Sequence, residues 1–168
     1  MSSDSDAVAA RARAVRLAVF DVDGVMTDGT LYFGPQGEAF KAFNTLDGHG
    51  MKMLQSAGIA IAILSGRSSE AVSRRAAELG IGHVVQGAGD KAAAFEQMRA
   101  RLGLDASACA FVGDDLPDLP VMRLCGFAVA VANASEPVKS AAHYVTSAHG
   151  GRGAVREFCD LVLRAREK

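Results

Sequence analysis

An α/β fold with a central parallel sheet is predicted by three features of the 168-residue chain. Short apolar runs recur along it, helix-like stretches separate them, and most of the runs end at a glycine or an acidic turn. The runs are Leu17–Phe20, Ile59–Leu64, His83–Gln86, Cys109–Val112 and Phe127–Val131, with Tyr144–Val145 as a weaker sixth. Continuous apolar runs with β-branched residues suit strands covered on both faces. Helices are predicted over Gly48–Ala57, Ser68–Leu79, Lys91–Leu102, Leu116–Leu124 and Gly153–Ala165. Ser68 stands at a capping position, Glu70 falls in the first turn, and Gly80 and Gly103 follow two of the helices. Strands alternating with single helices give right-handed βαβ units, with helices on both faces of the sheet.

One segment breaks the alternation. Thr30–Phe33, a Gly34–Gly37 turn and Glu38–Phe43 read as a β-hairpin spanning about 30–43. An isolated hairpin is marginal in water, so it needs a surface to pack on, such as a neighbouring subunit. Residues 1–14 are polar and terminal, and are expected to be flexible. Residues 15–168 then form one domain, ample for a core without disulfides or a structural metal.

Composition excludes several classes. Hydrophobic residues are 49% and charged residues 22%, ordinary for a folded protein. With 18 Lys plus Arg against 19 Asp plus Glu, the net charge is −1, which argues against a general nucleic-acid binder. The run Ile59–Leu64 is far too short to span a membrane, and residues 1–14 lack the apolar stretch of a signal peptide. Cys109, Cys125 and Cys159 have no metal-binding spacing and are expected to be buried, reduced thiols. A cytoplasmic protein that binds no membrane is the expectation.

Ligands of open α/β sheets bind beyond the carboxyl ends of the strands. Two acidic clusters fall there. Phe20-Asp21-Val22-Asp23-Gly24-Val25-Met26-Thr27-Asp28 follows the first run, and Gly113-Asp114-Asp115-Leu116-Pro117-Asp118 follows another. Ile63-Leu64-Ser65-Gly66-Arg67 ends a third run, and Lys91 opens a helix after Gly89-Asp90.

In order and spacing these four parts resemble the motifs of the haloacid dehalogenase superfamily of phosphotransferases. The resemblance implies a Rossmann-like three-layer sandwich. It also implies Asp21 as nucleophile, Asp23 as general acid/base, Ser65 as a phosphoryl-oxygen ligand and Lys91 as the neutralising lysine. By the same resemblance Asp114 binds Mg²⁺ with the Asp21 carboxylate and the Asp23 main-chain carbonyl, and Asp118 holds a metal-bound water. The chemistry is coherent. A carboxylate can attack phosphorus and split one hard step into two. It meets like-charge repulsion of about 4 kcal/mol per pair of unit charges at ~4 Å and an effective dielectric of ~20, which a divalent cation offsets. Oxygen-only ligands suit Mg²⁺.

Many members of the superfamily close a cap domain over the substrate, and this spacing leaves no room for one. The hairpin, Phe43–Gly50 and Gly150–Arg156 resemble a capless branch that acts on phosphorylated acidic sugars in lipopolysaccharide synthesis. That resemblance covers about residue 19 to the C-terminus. It implies a Mg²⁺-dependent phosphatase for 3-deoxy-D-manno-octulosonate 8-phosphate (KDO 8-phosphate), assembled as a homo-oligomer, with tetramer the expected state. Asn44, Thr45, Leu46, Asp47 and Gly48 would reach the substrate of a neighbouring subunit. Lys52, Arg67, Arg75 and Lys91, together with Asp23, would face the sugar phosphate. Arginine forks suit carboxylate and phosphate oxygens, whereas Lys52 offers only a point charge. The 9-phosphate of a sialic-type sugar is the alternative substrate. A non-catalytic oligomeric module would be expected to have lost a nucleophile or metal ligand. A mutase or transferase would be expected to carry a cap that excludes water.

Overall fold

The computed structural model describes residues 2–167. Its centre is a six-stranded sheet in the order β5-β4-β1-β6-β7-β8, parallel throughout. The strands are β1 (Leu17–Phe20), β4 (Ala60–Leu64), β5 (His83–Val85), β6 (Cys109–Gly113), β7 (Phe127–Ala130) and β8 (Tyr144–Val145). β2 (Tyr32–Gly34) and β3 (Gly37–Phe40) form the separate antiparallel hairpin. All residues of β1, β6 and β7 are buried, as expected for strands covered on both faces. β5 and β8, at the sheet edges, are only partly covered.

The helices are α1 (Ser2–Ala14), α2 (Thr45–Ser56), α3 (Glu70–Glu78), α4 (Lys91–Arg101), α5 (Leu119–Leu124), α6 (Glu136–Ala141) and α7 (Ala154–Arg166). Burying Phe20, Phe95, Phe111, Phe127 and Phe158 fills the space between sheet and helices. Phe158 of α7 meets Phe20 edge-on at 5.6 Å and Phe127 at 6.0 Å, locking α7 onto β1 and β7. Cys109, Cys125 and Cys159 are free and buried. Burial pushes the Cys109 thiol up to about 11 and the Cys125 thiol up to about 12, so both are inert at neutral pH.

Several expected boundaries are corrected. The stretch 1–14, expected to be flexible, forms helix α1 from Ser2 onward, and Met1 lies outside the described residues. Ala12 is fully buried, Val8 packs on the core, and Arg13 Nε donates to the Ala165 carbonyl of α7 at 2.8 Å. Tertiary packing thus holds a polar segment whose own sequence carries little amphipathic signal. α2 begins at Thr45 rather than Gly48, because Asn44 Oδ1 accepts from the Leu46 and Asp47 N–H groups. α3 is preceded by Ser69, not Ser68, and the Ser69 hydroxyl donates to Glu38 of the hairpin instead of capping. The expected helix 116–124 divides into a 3₁₀ turn, Leu116–Asp118, and α5, while α6 was not anticipated. Among the described residues, no helix is long and apolar enough to cross a membrane.

Candidate active site

Strand register builds the floor of the site. Phe20 is level with Ile63 on β4 and with Val112 on β6. The chain leaving β1 therefore delivers Asp21 between the ends of β4 and β6, beside Ser65 and Asp114. The Asp21 N–H donates to the Val112 carbonyl at 3.1 Å, continuing the ladder one residue past the strand. Ser65 is held likewise, its N–H donating to Val85 at 2.9 Å. The chain then turns sharply at Gly24. Its φ of +86° is a conformation L side chains rarely adopt, and a Cβ there would collide with the Asp114 carboxylate. The Thr27 hydroxyl oxygen accepts from the Gly24 and Gly29 N–H groups, both at 3.2 Å, and pins the turn.

Asp21, Asp114 and Asp118 each present an oxygen, all within 4.8 Å of one another. Asp118, expected to act through a water, thus stands in the carboxylate group itself. Its Oδ2 accepts from the Asp114 and Asp115 N–H groups at 2.9 and 3.3 Å, and its Oδ1 accepts from Lys91 Nζ at 2.7 Å. Lys91, the first residue of α4, also lies 3.1 Å from Asp21 Oδ1. Asp90 before it caps the helix through Ala93 N–H, which fixes where Lys91 leaves the backbone.

The electrostatics follow from burial and crowding. Burial, then the neighbouring Asp118 charge, raise Asp21 to about 6 against the opposing pull of Lys91. Burial, then Asp21 and Asp118, raise Asp114 to about 8. Burial alone would lower the Lys91 ammonium, but Asp21 and Asp118 outweigh it and hold it above its ordinary value. Three carboxylates facing one ammonium leave surplus negative charge on oxygen donors alone, a donor set suited to a hard divalent cation.

Asp23 lies outside that group. Its Oδ1 pairs with Lys41 Nζ at 2.6 Å, and its Oδ2 lies 3.8 Å from Arg67 Nε. Lys41 also pairs with Glu38 Oε2 at 2.9 Å, and its side chain is only 3% exposed. Sequence reading assigned no role to Lys41 or Glu38 beyond their place in the hairpin. The one available signal was a lysine three residues after a glutamate in a hairpin that had to pack on something.

The segment Asn44–Gly48, expected to reach the substrate of a neighbouring subunit, has its own contacts within the chain, as do Lys52 and Arg75. Asn44 caps α2, Thr45 and Leu46 are exposed, and Lys52 Nζ donates to the Leu79 carbonyl at 3.5 Å. Asp47 is buried and accepts from Arg156 N–H at 3.0 Å, capping α7, while its Oδ2 has no partner. Gly48 packs against the Arg75 guanidinium. Arg75 pairs with Glu78 at 2.8 Å and lies 6.0 Å from the Phe43 ring centroid. None of these residues forms a hydrogen bond or ion pair with Asp21, Asp23, Lys91 or Asp114 among the described residues. Arg67, by contrast, stands at the Asp23 side with 47% of its side chain exposed.

Comparison with known proteins fixes the family. A model of haloacid dehalogenase-like hydrolases matches residues 81–158. The 3-deoxy-D-manno-octulosonate 8-phosphate phosphatase KdsC of Yersinia pestis is 48% identical over 98% of this chain and 88% of its own. The chain belongs to the haloacid dehalogenase-like hydrolases, in the branch of these phosphatases. A crystal structure of the phosphatase from Yersinia pestis superposes with a TM-score of 0.95 at 48% identity, covering 97% of this chain and 88% of that one. The Moraxella catarrhalis phosphatase, solved with magnesium ion, phosphate ion and KDO, superposes with a TM-score of 0.93 at 43% identity, covering 95% of this chain and 92% of that one.

Proposed function

We propose that this chain is a Mg²⁺-dependent phosphatase that hydrolyses KDO 8-phosphate to KDO and inorganic phosphate, in the cytoplasm, for lipopolysaccharide synthesis. The observation that carries this reading is the group formed by Asp21, Asp114 and Asp118 with Lys91 at the strand ends. Near-full-length likeness to phosphatases named for that substrate supports the choice of sugar. Buried free thiols suit a reducing compartment.

Asp21 and Asp114, with the Asp23 main-chain carbonyl, are the proposed Mg²⁺ ligands, and Asp118 supports them. When bound, Mg²⁺ held by these groups would offset the repulsion between the entering carboxylate and the phosphate. An Asp21 carboxylate oxygen attacks phosphorus, and the bond from phosphorus to the sugar oxygen breaks. Asp23 gives its proton to that departing oxygen. Water then attacks the aspartyl phosphate, Asp23 takes up a proton, and the bond between Asp21 and phosphorus breaks to release phosphate. Ser65 donates to a phosphoryl oxygen, and Lys91 balances the charge gathered on Asp21 and Asp118. Arg67 is the proposed arginine toward the acidic sugar within one chain.

The working form is proposed to be a homo-oligomer, a tetramer, joined through the hairpin. Phe33 and Phe40 are 63% and 56% exposed on it, large for apolar side chains on a three- to four-residue strand. Asn44, Thr45, Leu46, Asp47, Gly48, Lys52 and Arg75 would then serve a neighbouring site.

Acid-quenching the enzyme during turnover of phosphate-labelled KDO 8-phosphate tests the reaction. Label should stay on the protein and be absent from Asp21→Asn, whose turnover should fall by several orders of magnitude. Labelled or active Asp21→Asn would remove Asp21 as nucleophile.

A further inference from the structure

The hairpin does more than expose aromatic rings. Its last strand ends beside Lys41, whose Nζ sits between Asp23 Oδ1 at 2.6 Å and Glu38 Oε2 at 2.9 Å. Glu38 Oε1 accepts the Ser69 hydroxyl at the start of α3, and Glu38 Oε2 lies 3.9 Å from Arg67 Nη2. Lys41 and Arg67 thus alternate with Asp23 and Glu38, and the three neighbours of Asp23 come from other segments of the chain. Asp23 itself is partly open, with 21% of its side chain exposed, whereas Lys41 is almost wholly enclosed. The enclosed partner is the fixed one. An aspartate side chain left to itself would sample its rotamers, and a general acid must stay within hydrogen-bond reach of the leaving oxygen.

We infer that Lys41 is a positioning residue for Asp23, anchored by Glu38, so that the hairpin sets the acid/base geometry of the site. The inference rests on the phosphatase reading above and adds a function for two residues that reading leaves idle. Among the described residues Lys41 pairs with Asp23 and Glu38 and forms no ion pair with Asp21, Asp114 or Asp118. Its effect passes through Asp23, and it should therefore appear only where a proton must be moved.

Leaving groups separate that effect from general damage. The sugar oxygen of KDO 8-phosphate must be protonated as it departs, while p-nitrophenolate leaves without a proton. With Lys41→Met, kcat for KDO 8-phosphate should fall roughly 10- to 100-fold, the scale of misplacing a catalytic group by about 1 Å. With p-nitrophenyl phosphate, the first turnover should persist as a burst of p-nitrophenolate within about threefold of the unsubstituted rate, before slow release of phosphate. Glu38→Gln keeps an oxygen for the Ser69 hydroxyl and loosens the Lys41 anchor together with the longer contact to Arg67. It should show the same pattern with a smaller loss, roughly 3- to 10-fold, and it decides the matter if Lys41→Met does not fold. A burst slowed as much as sugar turnover, or sugar turnover unchanged in a folded variant, would overturn the inference and leave the phosphatase standing. An unsubstituted enzyme that turns over neither ester would overturn both.

Discussion

The two functional regions of this chain are finished to different degrees. At the ends of β1, β4 and β6, Asp21, Asp114, Asp118 and Lys91 meet within one chain, and each is already aimed by neighbours. Along Phe43 to Lys52 and at Arg75, several polar groups expected to read a sugar have partners inside the chain, while Asp47 Oδ2 has none. Asn44 caps α2, Asp47 caps α7, and Arg75 holds Glu78 beside Phe43. On the proposed function, the difference means that bond breaking and sugar recognition are built separately. The first follows from strand register. The second, in the proposed oligomer, would draw on a further surface supplied by a neighbouring copy joined at the hairpin, where Phe33 and Phe40 are exposed.

Disturbing the completed region should have the largest effect. Gly24→Ala puts a Cβ against the Asp114 carboxylate at a backbone angle L side chains avoid. Mg²⁺ affinity should fall roughly 10- to 100-fold, as when a group supporting a metal ligand is lost. Titrating activity with Mg²⁺ reads this directly, and an unchanged titration would put the metal elsewhere.

Disturbing the incomplete region should separate recognition from chemistry. Phe33→Lys with Phe40→Lys should give a smaller species by light scattering. Its KDO 8-phosphate turnover should drop roughly tenfold, about 1.4 kcal/mol, while p-nitrophenyl phosphate turnover changes less. Equal losses on both esters would mean that the floor of the site also depends on assembly.

The smallest effect is on stability. Asp21 and Asp114 are raised to about 6 and about 8, so the folded chain holds protons that the unfolded chain has lost above about 4. Metal-free stability should therefore fall as pH rises from about 4 to about 8. Lys91 stays charged throughout that window and does not reverse the slope. Mg²⁺ at 100 times its dissociation constant should restore about 2.7 kcal/mol at pH 8. Thermal melts with and without Mg²⁺ check both signs.

What could be read from the sequence follows the same division. β1, β6 and β7 were legible because strands covered on both faces are written as unbroken apolar runs. The positions of Asp21, Ser65 and Asp114 were legible because Asp21 and Ser65 immediately follow such runs and Asp114 follows one after Gly113, so strand ends carry them to one edge. α1 was not, since Ala12 and Arg13 gain their partners only when α7 arrives. Lys41 was not, because Asp23 lies 18 positions away across a hairpin fold-back. The expected start of α3, at Ser68, lies one residue early, and the Ser69 hydroxyl goes to Glu38 instead of its own helix, a choice that depends on tertiary placement. The resemblance of Asn44 to Gly48 to a substrate segment gave no hint that Asp47 would be buried against α7.

Phosphate release from KDO 8-phosphate, a sialic-type 9-phosphate and a simple sugar phosphate, each with Mg²⁺ and with EDTA, tests the central claim most directly. The account predicts strong preference for KDO 8-phosphate and loss of all turnover in EDTA. Equal turnover of the three esters would contradict the substrate, and turnover that survives EDTA would contradict the Mg²⁺ site on Asp21 and Asp114.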